Sequence, residues 1–257
     1  MTLDQAALIA ASGVFAGAIN AVAGGGSFLT LPVLIGCGLP SVSANATSTA
    51  ALWPGTVASF GAYRRELATR APLAVFLSVV SLLGGIIGAL VLLWTTTRTF
   101  DHLLPWLTAF ATVLFAFGAR LSTRWKLSLG EGEDRWSLAR AGAVQFVLAV
   151  YGGYYGAGAG IMLLALLALL GMKHIHAMNA LKTLLTAAFN GAAVLTFVLR
   201  GVVHWPEAGW LMVGGLVGGY GGAALARRVP PRFIRRFVIV AGVLTTAYFS
   251  WRAYLQR

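Results

Sequence analysis

Two glycine-rich stretches interrupt apolar runs that otherwise favour helix. The first is AGGGSFLTLPVL (23–34) and the second is GAGAGIMLLALLALLG (156–171). A glycine within a helix costs about 1 kcal/mol relative to alanine, so each stretch predicts a break followed by a new helix. The free N–H groups and the positive dipole end of a helix start attract anions. We therefore expect Ser27 to cap the first short helix, and the two helix starts together to form an anion site.

A single cation lies well inside the predicted spans. Lys182 is the one Lys, Arg, Asp or Glu at such a depth, and a charge within a membrane is by default functional. Its ammonium either balances the charge of a substrate or extends to the nearby interface. The neighbouring polar residues either donate hydrogen bonds to a substrate or join helices to one another, and Asn20, Tyr155 and Asn190 carry the same ambiguity. The predicted substrate-binding residues are Gly24, Gly25, Gly26, Ser27, Asn45, Ser48, Thr49, Gly158, Gly160, Asn179, Lys182 and Thr183.

The acidic residues and histidines do not support catalysis or metal binding. All seven acidic residues and all four histidines lie in predicted loops or at span ends. An intramembrane serine enzyme using Ser27 would need a histidine base within hydrogen-bond reach. We therefore predict no enzyme activity, no catalytic residue, no metal and no cofactor. The lack of a carboxylate within a span also argues against a cation carrier.

Composition places the chain among membrane proteins. It is 58% hydrophobic and 10% charged, whereas soluble domains are about 45–50% apolar and about 25% charged. Apolar runs of spanning length recur throughout, and the single Cys37 excludes an internal disulfide. The net charge of +12 is scattered through short loops, which is typical of cytoplasmic loops and not of nucleic-acid binding. The expected partners are the lipid bilayer and a small anionic substrate, with a homodimer as one candidate assembly.

The chain contains an internal repeat. Sliding the sequence along itself until Gly26 meets Gly160 also aligns Thr49 with Thr183, and the same ungapped alignment matches residues from position 23 to position 98. We call this alignment the repeat register. Apolar low complexity would not keep one register over that length. We predict a first transmembrane repeat over 1–121, a cytoplasmic linker over 122–137 and a second transmembrane repeat over 138–257.

Each repeat predicts a glycine-broken stretch followed by three spans. As one helix, the 33 residues of 5–37 would reach about 50 Å, and the hydrocarbon core is about 30 Å thick. If each stretch returns to its starting side, 14 Lys and Arg lie on one side of the membrane and 4 on the other. If each stretch crosses once, which gives an eight-span protein, the two sides carry 11 and 7. The positive-inside rule favours the first arrangement. We predict an all-α polytopic membrane protein with two inverted repeats and 8–10 transmembrane segments, multi-pass in the inner membrane, with both termini in the periplasm.

These motifs resemble one family. The stretches GAINAVAGGGSFLTLPVLIGCGLPSVSANATS (17–48) and GYYGAGAGIMLLALLALLGM (153–172), with the GGxxG spans, look like the sulfite exporter TauE/SafE family of membrane permeases. The resemblance implies a secondary transporter that exports a small sulfur-containing anion, such as sulfite or an organosulfonate, across the bacterial inner membrane. A permease for another small organic anion or an unrelated solute on the same scaffold is the alternative.

Overall fold

The protein is built from α-helices. The computed structural model describes residues 1–22, 25–63, 71–124, 135–170, 172, 174–226 and 231–255. Over these ranges there are ten helices and no strand. The helices are α1 (Leu3–Val22), α2 (Ser27–Gly36), α3 (Ser41–Tyr63), α4 (Ala71–Trp94), α5 (Thr97–Arg124), α6 (Arg135–Tyr154), α7 (Ala159–Leu169), α8 (Ile175–Leu199), α9 (Trp205–Ala226) and α10 (Pro231–Tyr254). The all-α class predicted from composition is confirmed.

The helix bounds follow the sequence repeat. The helices α8, α9 and α10 begin at the positions that the repeat register pairs with the starts of α3, α4 and α5. The helices α1 and α6 both have 20 residues, and the short helices α2 and α7 have 10 and 11. The described helices therefore form two sets of five. Helix covers residues 122–124 and 135–137 of the predicted linker, and 125–134 lie outside the described residues.

The glycine breaks separate a long helix from a short one in both repeats, as predicted. At the first break the carbonyl oxygen of Ala16 lies 2.8 Å from the position that a Cβ would take on Gly26, so the chain turns back beside α1. At the second break Gly158 has φ +78°, which glycine adopts without strain. The predicted cap by Ser27 is wrong. Helix α2 begins at Ser27 itself, which makes Gly26 the N-cap, and no side chain caps it.

The short helix α2 is enclosed by protein. Its side chains Phe28, Leu31 and Leu34 are buried in the core between the two repeats, together with Phe197 of α8. The hydroxyl of Thr245, on α10, donates a hydrogen bond of 2.8 Å to the carbonyl oxygen of Phe28. Because lipid cannot satisfy the backbone of a broken helix, this enclosure is what a break at this depth requires.

The helices α1 and α9 pack side by side and parallel. A Cβ on Gly214 would overlap the carbonyl of Ala10, and one on Gly218 would overlap the carbonyl of Val14 one turn further along both helices. The pair α4 and α6, which corresponds to it under the repeat, packs in the same way. Backbone approaches this close need glycine on at least one helix. Of the glycines in the GGxxG spans, Gly84, Gly85, Gly88 and Gly218 all have this packing role.

The equivalent helices α3 and α8 cross in opposite directions. The indole Nε1 of Trp53 donates a 3.0 Å hydrogen bond to the carbonyl of Ala187, its equivalent in the repeat register. Closer to the start of α3, the hydroxyl of Thr47 accepts a 3.0 Å hydrogen bond from the N–H of His204, which follows the end of α8. A residue nearer the start of α3 therefore contacts a residue nearer the end of α8, so the two helices are antiparallel.

These directions bring the helix ends to two faces. A 3.1 Å hydrogen bond from Trp106 Nε1 to the hydroxyl of Tyr254 joins the start of α5 to the end of α10. With the α1–α9 and α3–α8 contacts, it places the start of α1 and the end of α10 at one face. We call this the aromatic face, because near it lie the exposed side chains of Trp94, Trp106, Trp205, Trp210 and Trp251. The opposite face is called the basic face, since the helix ends there hold Arg120, Arg124, Arg135, Arg140, Arg232, Arg235 and Arg236.

The outer surface between the two faces is apolar. Leu83, in the middle of α4, is 54% exposed, and Val213, in the middle of α9, is 57% exposed. By length and composition, four helices of the described chain are able to cross a membrane. Their apolar windows are Leu3–Asn20, Pro72–Trp94, Thr97–Phe117 and His176–Leu199. The total of 8–10 transmembrane segments stays a prediction.

Candidate functional site

A cavity of about 150 Å³ lies between the two repeats. Both glycine breaks contribute to its wall, and so do α3 and α8. Its lining residues are Asn20, Ser27, Thr49, Leu52, Thr56, Ser59, Tyr155, Gly156, Gly160, Asn179, Lys182, Thr183, Thr186 and Asn190. Most of these are hydroxyl or amide side chains, so the cavity is a polar space inside an apolar molecule.

Two helix faces supply most of the wall. On α3 the lining positions Thr49, Leu52, Thr56 and Ser59 are three or four residues apart, which is the spacing of one helix face. The crossing of α3 and α8 at Trp53 turns this face toward the corresponding face of α8. That second face consists of Asn179, Lys182, Thr183, Thr186 and Asn190.

Lys182 lies against the start of α7. Its Cδ is 3.7 Å from the position that a Cβ would take on Gly160. At this helix start the N–H groups of Ile161 and Met162 donate to the carbonyl of Gly158. Among the described residues, the N–H of Gly160 has no such partner. The aliphatic chain of Lys182 therefore packs against a helix start that has an unpaired N–H at Gly160, and both an ammonium group and a helix start attract an anion.

The charge of Lys182 has no acidic counterpart on the cavity wall. No Asp or Glu occurs among the lining residues that the structure describes. Within a membrane a cation without a counter-charge is expensive, so an occupant that carries negative charge is favoured. The wall is thus electrostatically suited to an anion and unsuited to a cation.

Two hydroxyl groups on the wall are buried without a hydrogen-bond partner. They belong to Tyr155, whose side chain is 2% exposed, and to Thr186. The ring of Tyr155 packs edge-on against Tyr151, whose own hydroxyl donates a 2.7 Å hydrogen bond to the carbonyl of Ala157. An unpaired buried hydroxyl costs about 1–3 kcal/mol, so this part of the wall contains polar groups that the described residues leave unsatisfied.

The structure brings half of the predicted site residues together. Those that line the cavity are Ser27, Thr49, Gly160, Asn179, Lys182 and Thr183. Those placed outside its wall are Gly25, Gly26, Asn45, Ser48 and Gly158. Asn45 donates a 3.0 Å hydrogen bond to the carbonyl of Tyr154, and the hydroxyl of Ser48 lies 2.6 Å from that of Thr30. Gly24 lies outside the described residues.

Several lining residues were missed or left undecided by the sequence. The missed ones are Leu52, Thr56, Ser59, Gly156 and Thr186, and the undecided ones are Asn20, Tyr155 and Asn190. The signal was present as a helical period. From Asn179, polar residues continue at intervals of three or four to Asn190. From Thr49, the same spacing passes through Leu52 to Thr56 and Ser59, and extending these two helix faces would have found most of the missed residues.

An apolar helical molecule that encloses a polar cavity is a membrane protein able to hold a small solute. A family profile described as "Sulfite exporter TauE/SafE" matches residues 9–249. The chain belongs to the sulfite exporter TauE/SafE family, which is a family of membrane transporters.

Named relatives agree with this class. The chain is 27% identical over 247 residues to a "Probable membrane transporter protein" of Haemophilus influenzae, covering 95% of this chain and 94% of the relative. It is 26% identical over 253 residues to the "Probable membrane transporter protein YfcA" of Escherichia coli strain K12, covering 95% and 88%. No solved structure matches the chain. The family and these relatives point to a transporter and not to an enzyme.

Proposed function

We propose that this protein exports a small sulfur-containing anion, such as sulfite or an organosulfonate, across the bacterial inner membrane. One observation carries the proposal: Lys182 lies against Gly160 at the free start of α7, in a cavity whose described lining has no carboxylate. The family description, which names sulfite export, supports the sulfur chemistry.

The size and donors of the cavity suit such a substrate. At about 150 Å³ it is smaller than the pockets of about 300–1,000 Å³ that hold drug-sized ligands. A sulfite or sulfonate group has three oxygens, each of which accepts hydrogen bonds. In the proposed site, Lys182 and the N–H of Gly160 bind the charge, and Asn179, Thr183 and Thr49 donate to the remaining oxygens.

The proposed membrane topology has the basic face in the cytoplasm and the aromatic face in the periplasm. Arginine is enriched in cytoplasmic loops, and tryptophan anchors helices at membrane interfaces. The antiparallel crossings of α3 with α8 and of α5 with α10 support an inverted repeat, because each crossing joins equivalent helices. The common face at which α1 and α3 begin supports a broken stretch that returns to its starting side.

Anion flux into proteoliposomes tests the function. Each radiolabelled solute (sulfite, methanesulfonate, acetate, chloride or glycerol) is offered to proteoliposomes preloaded with the same unlabelled solute, and its uptake is compared with that of protein-free vesicles loaded in the same way. We expect saturable uptake of sulfite and methanesulfonate, each inhibited by the other. Saturable uptake of acetate alone would make the protein a carrier of another organic anion. Uptake of glycerol alone, or of no solute, would contradict the proposal as a whole.

A further inference from the structure

The first repeat is closed by two hydrogen bonds across helices. The amide nitrogen of Asn45 on α3 donates to the carbonyl oxygen of Tyr154 at the end of α6, over 3.0 Å. The hydroxyls of Thr30 on α2 and Ser48 on α3 lie 2.6 Å apart, and these two side chains are 0% and 1% exposed. Among the described residues, the helices are therefore packed together at these contacts, and Thr30 and Ser48 are shielded from solvent.

The equivalent positions of the second repeat are open. The repeat register pairs Asn45 with Asn179 and Tyr154 with Asn20, and both Asn179 and Asn20 line the cavity. The cavity thus occupies the place where the second repeat would make the contact that closes the first. It lies beside the start of α8 and the later part of α3, which is the side of the basic face.

The second contact has no polar equivalent. The same register pairs Ser48 with Lys182 and Thr30 with Leu164. Closing the second repeat as the first is closed would let Asn179 donate to the carbonyl of Asn20. It would also bring the ammonium of Lys182 against an apolar side chain. A buried charge without a partner is strongly unfavourable, and neither Leu164 nor the described cavity wall supplies a counter-charge.

We propose that the carrier exchanges one anion for another and does not return empty, because Lys182 prevents closure of the unloaded cavity. This inference rests on the proposed function. Passage from one face to the other requires a state that is closed at both. With an anion bound, the ammonium is neutralised and that state forms; without an anion, the ammonium would be enclosed unpaired. The second anion is of the same class as the first, since it must neutralise the same ammonium.

Counterflow in proteoliposomes tests the exchange. Vesicles are loaded with radiolabelled methanesulfonate and diluted into buffer that contains either unlabelled methanesulfonate or the impermeant anion gluconate. Potassium with valinomycin holds the membrane potential at zero, so that charge build-up does not slow net efflux. We expect efflux into methanesulfonate to be at least about tenfold faster, the ratio that corresponds to about 1.4 kcal/mol. Equal efflux rates would refute the exchange.

A double variant tests the assigned cause. Lys182→Ser with Leu164→Thr rebuilds in the second repeat the pair that Ser48 and Thr30 form in the first. At saturating methanesulfonate we expect its two efflux rates to become equal. The matched control Leu164→Thr keeps the ammonium and should keep the wild-type ratio. A double variant that retains the wild-type ratio would overturn the role of Lys182.

The outcomes separate the two proposals. If the wild-type protein moves methanesulfonate and sulfite under neither condition, the proposed function fails and the exchange fails with it. If it moves them equally fast with and without external anion, the function stands and only the exchange is refuted. Size-exclusion chromatography identifies a variant that does not fold. In that case the ratio of the two efflux rates of the wild-type protein alone decides whether the carrier exchanges anions.

Discussion

Replacement of Lys182 by methionine isolates the charge at the cavity wall. Methionine keeps most of the length of the side chain and its place beside Gly160, where the lysine Cδ lies 3.7 Å from the position that a Cβ would take. The change removes the ammonium while the wall loses little volume. A loss of anion affinity then reports on the charge and not on a collapsed cavity.

The expected magnitude follows from the contact that is lost. A hydrogen bond to a charged group contributes about 1.5–3 kcal/mol, which corresponds to about a tenfold to hundredfold loss of affinity. Lys182→Arg restores the charge, but the planar guanidinium is bulkier and the lysine chain already lies close to α7, with its Cδ 3.7 Å from the position of a Cβ on Gly160. We therefore expect Arg to recover only part of the affinity.

Titration of sulfite or methanesulfonate into the detergent-solubilised proteins measures the effect. Ser48→Ala, the equivalent position of the first repeat, is the matched control and should bind as the wild type does, because Ser48 lies outside the cavity wall. Unchanged affinity in Lys182→Met would refute the counter-charge role and assign the anion to the helix start and neutral donors. If the Arg variant also binds with unchanged affinity, the result in addition indicates a lysine that extends to the interface.

Three further predictions concern packing, backbone and topology. Gly218→Ala should lower stability in thermal unfolding by about 1–3 kcal/mol, because its Cβ would overlap the carbonyl of Val14, whereas Gly209→Ala on the same helix meets no atom within 4 Å and should be neutral or stabilising. Gly158→Ala should lower stability by about 1–2 kcal/mol, because φ at this residue is +78°. Its control Gly160→Ala adds only ordinary contacts, and a tolerated Gly158→Ala would contradict this backbone argument. A fluorescent protein fused to the C-terminus should stay dark, since it folds poorly in the periplasm, and bright cells would restore the eight-span topology.

The breaks and the repeat were predictable because they depend on local chemistry. Glycine clusters end helices wherever they occur, and a repeat register that holds without a gap needs no tertiary information. The start of α2 was predicted one residue late, because a serine next to glycines resembles a cap. Whether Ser27 or Gly26 occupies that position is decided by how tightly the chain turns back against Ala16.

The site was only partly predictable, because residues at equivalent positions of the sequence repeat have different surroundings in the folded molecule. Asn45 and Asn179 occupy matching positions, yet one is hydrogen-bonded in a closed contact and the other lines the cavity. That difference arises from the relative positions of whole helices. By contrast, Thr56 and Ser59 were within reach of the sequence, since they extend the helix face of Thr49.

The contact between Trp53 and Ala187 has a consequence for how the two halves are able to diverge. These residues occupy the same place in each half, and their contact spans the point where the halves meet. Two identical, separate chains meeting there would place tryptophan on tryptophan or alanine on alanine, a collision in one case and a void in the other. Covalent joining lifts this restriction, because each copy then mutates by itself. A large ring in one half then packs against a small residue in the other. If the chain were split into its two halves, they could assemble only as a heterodimer.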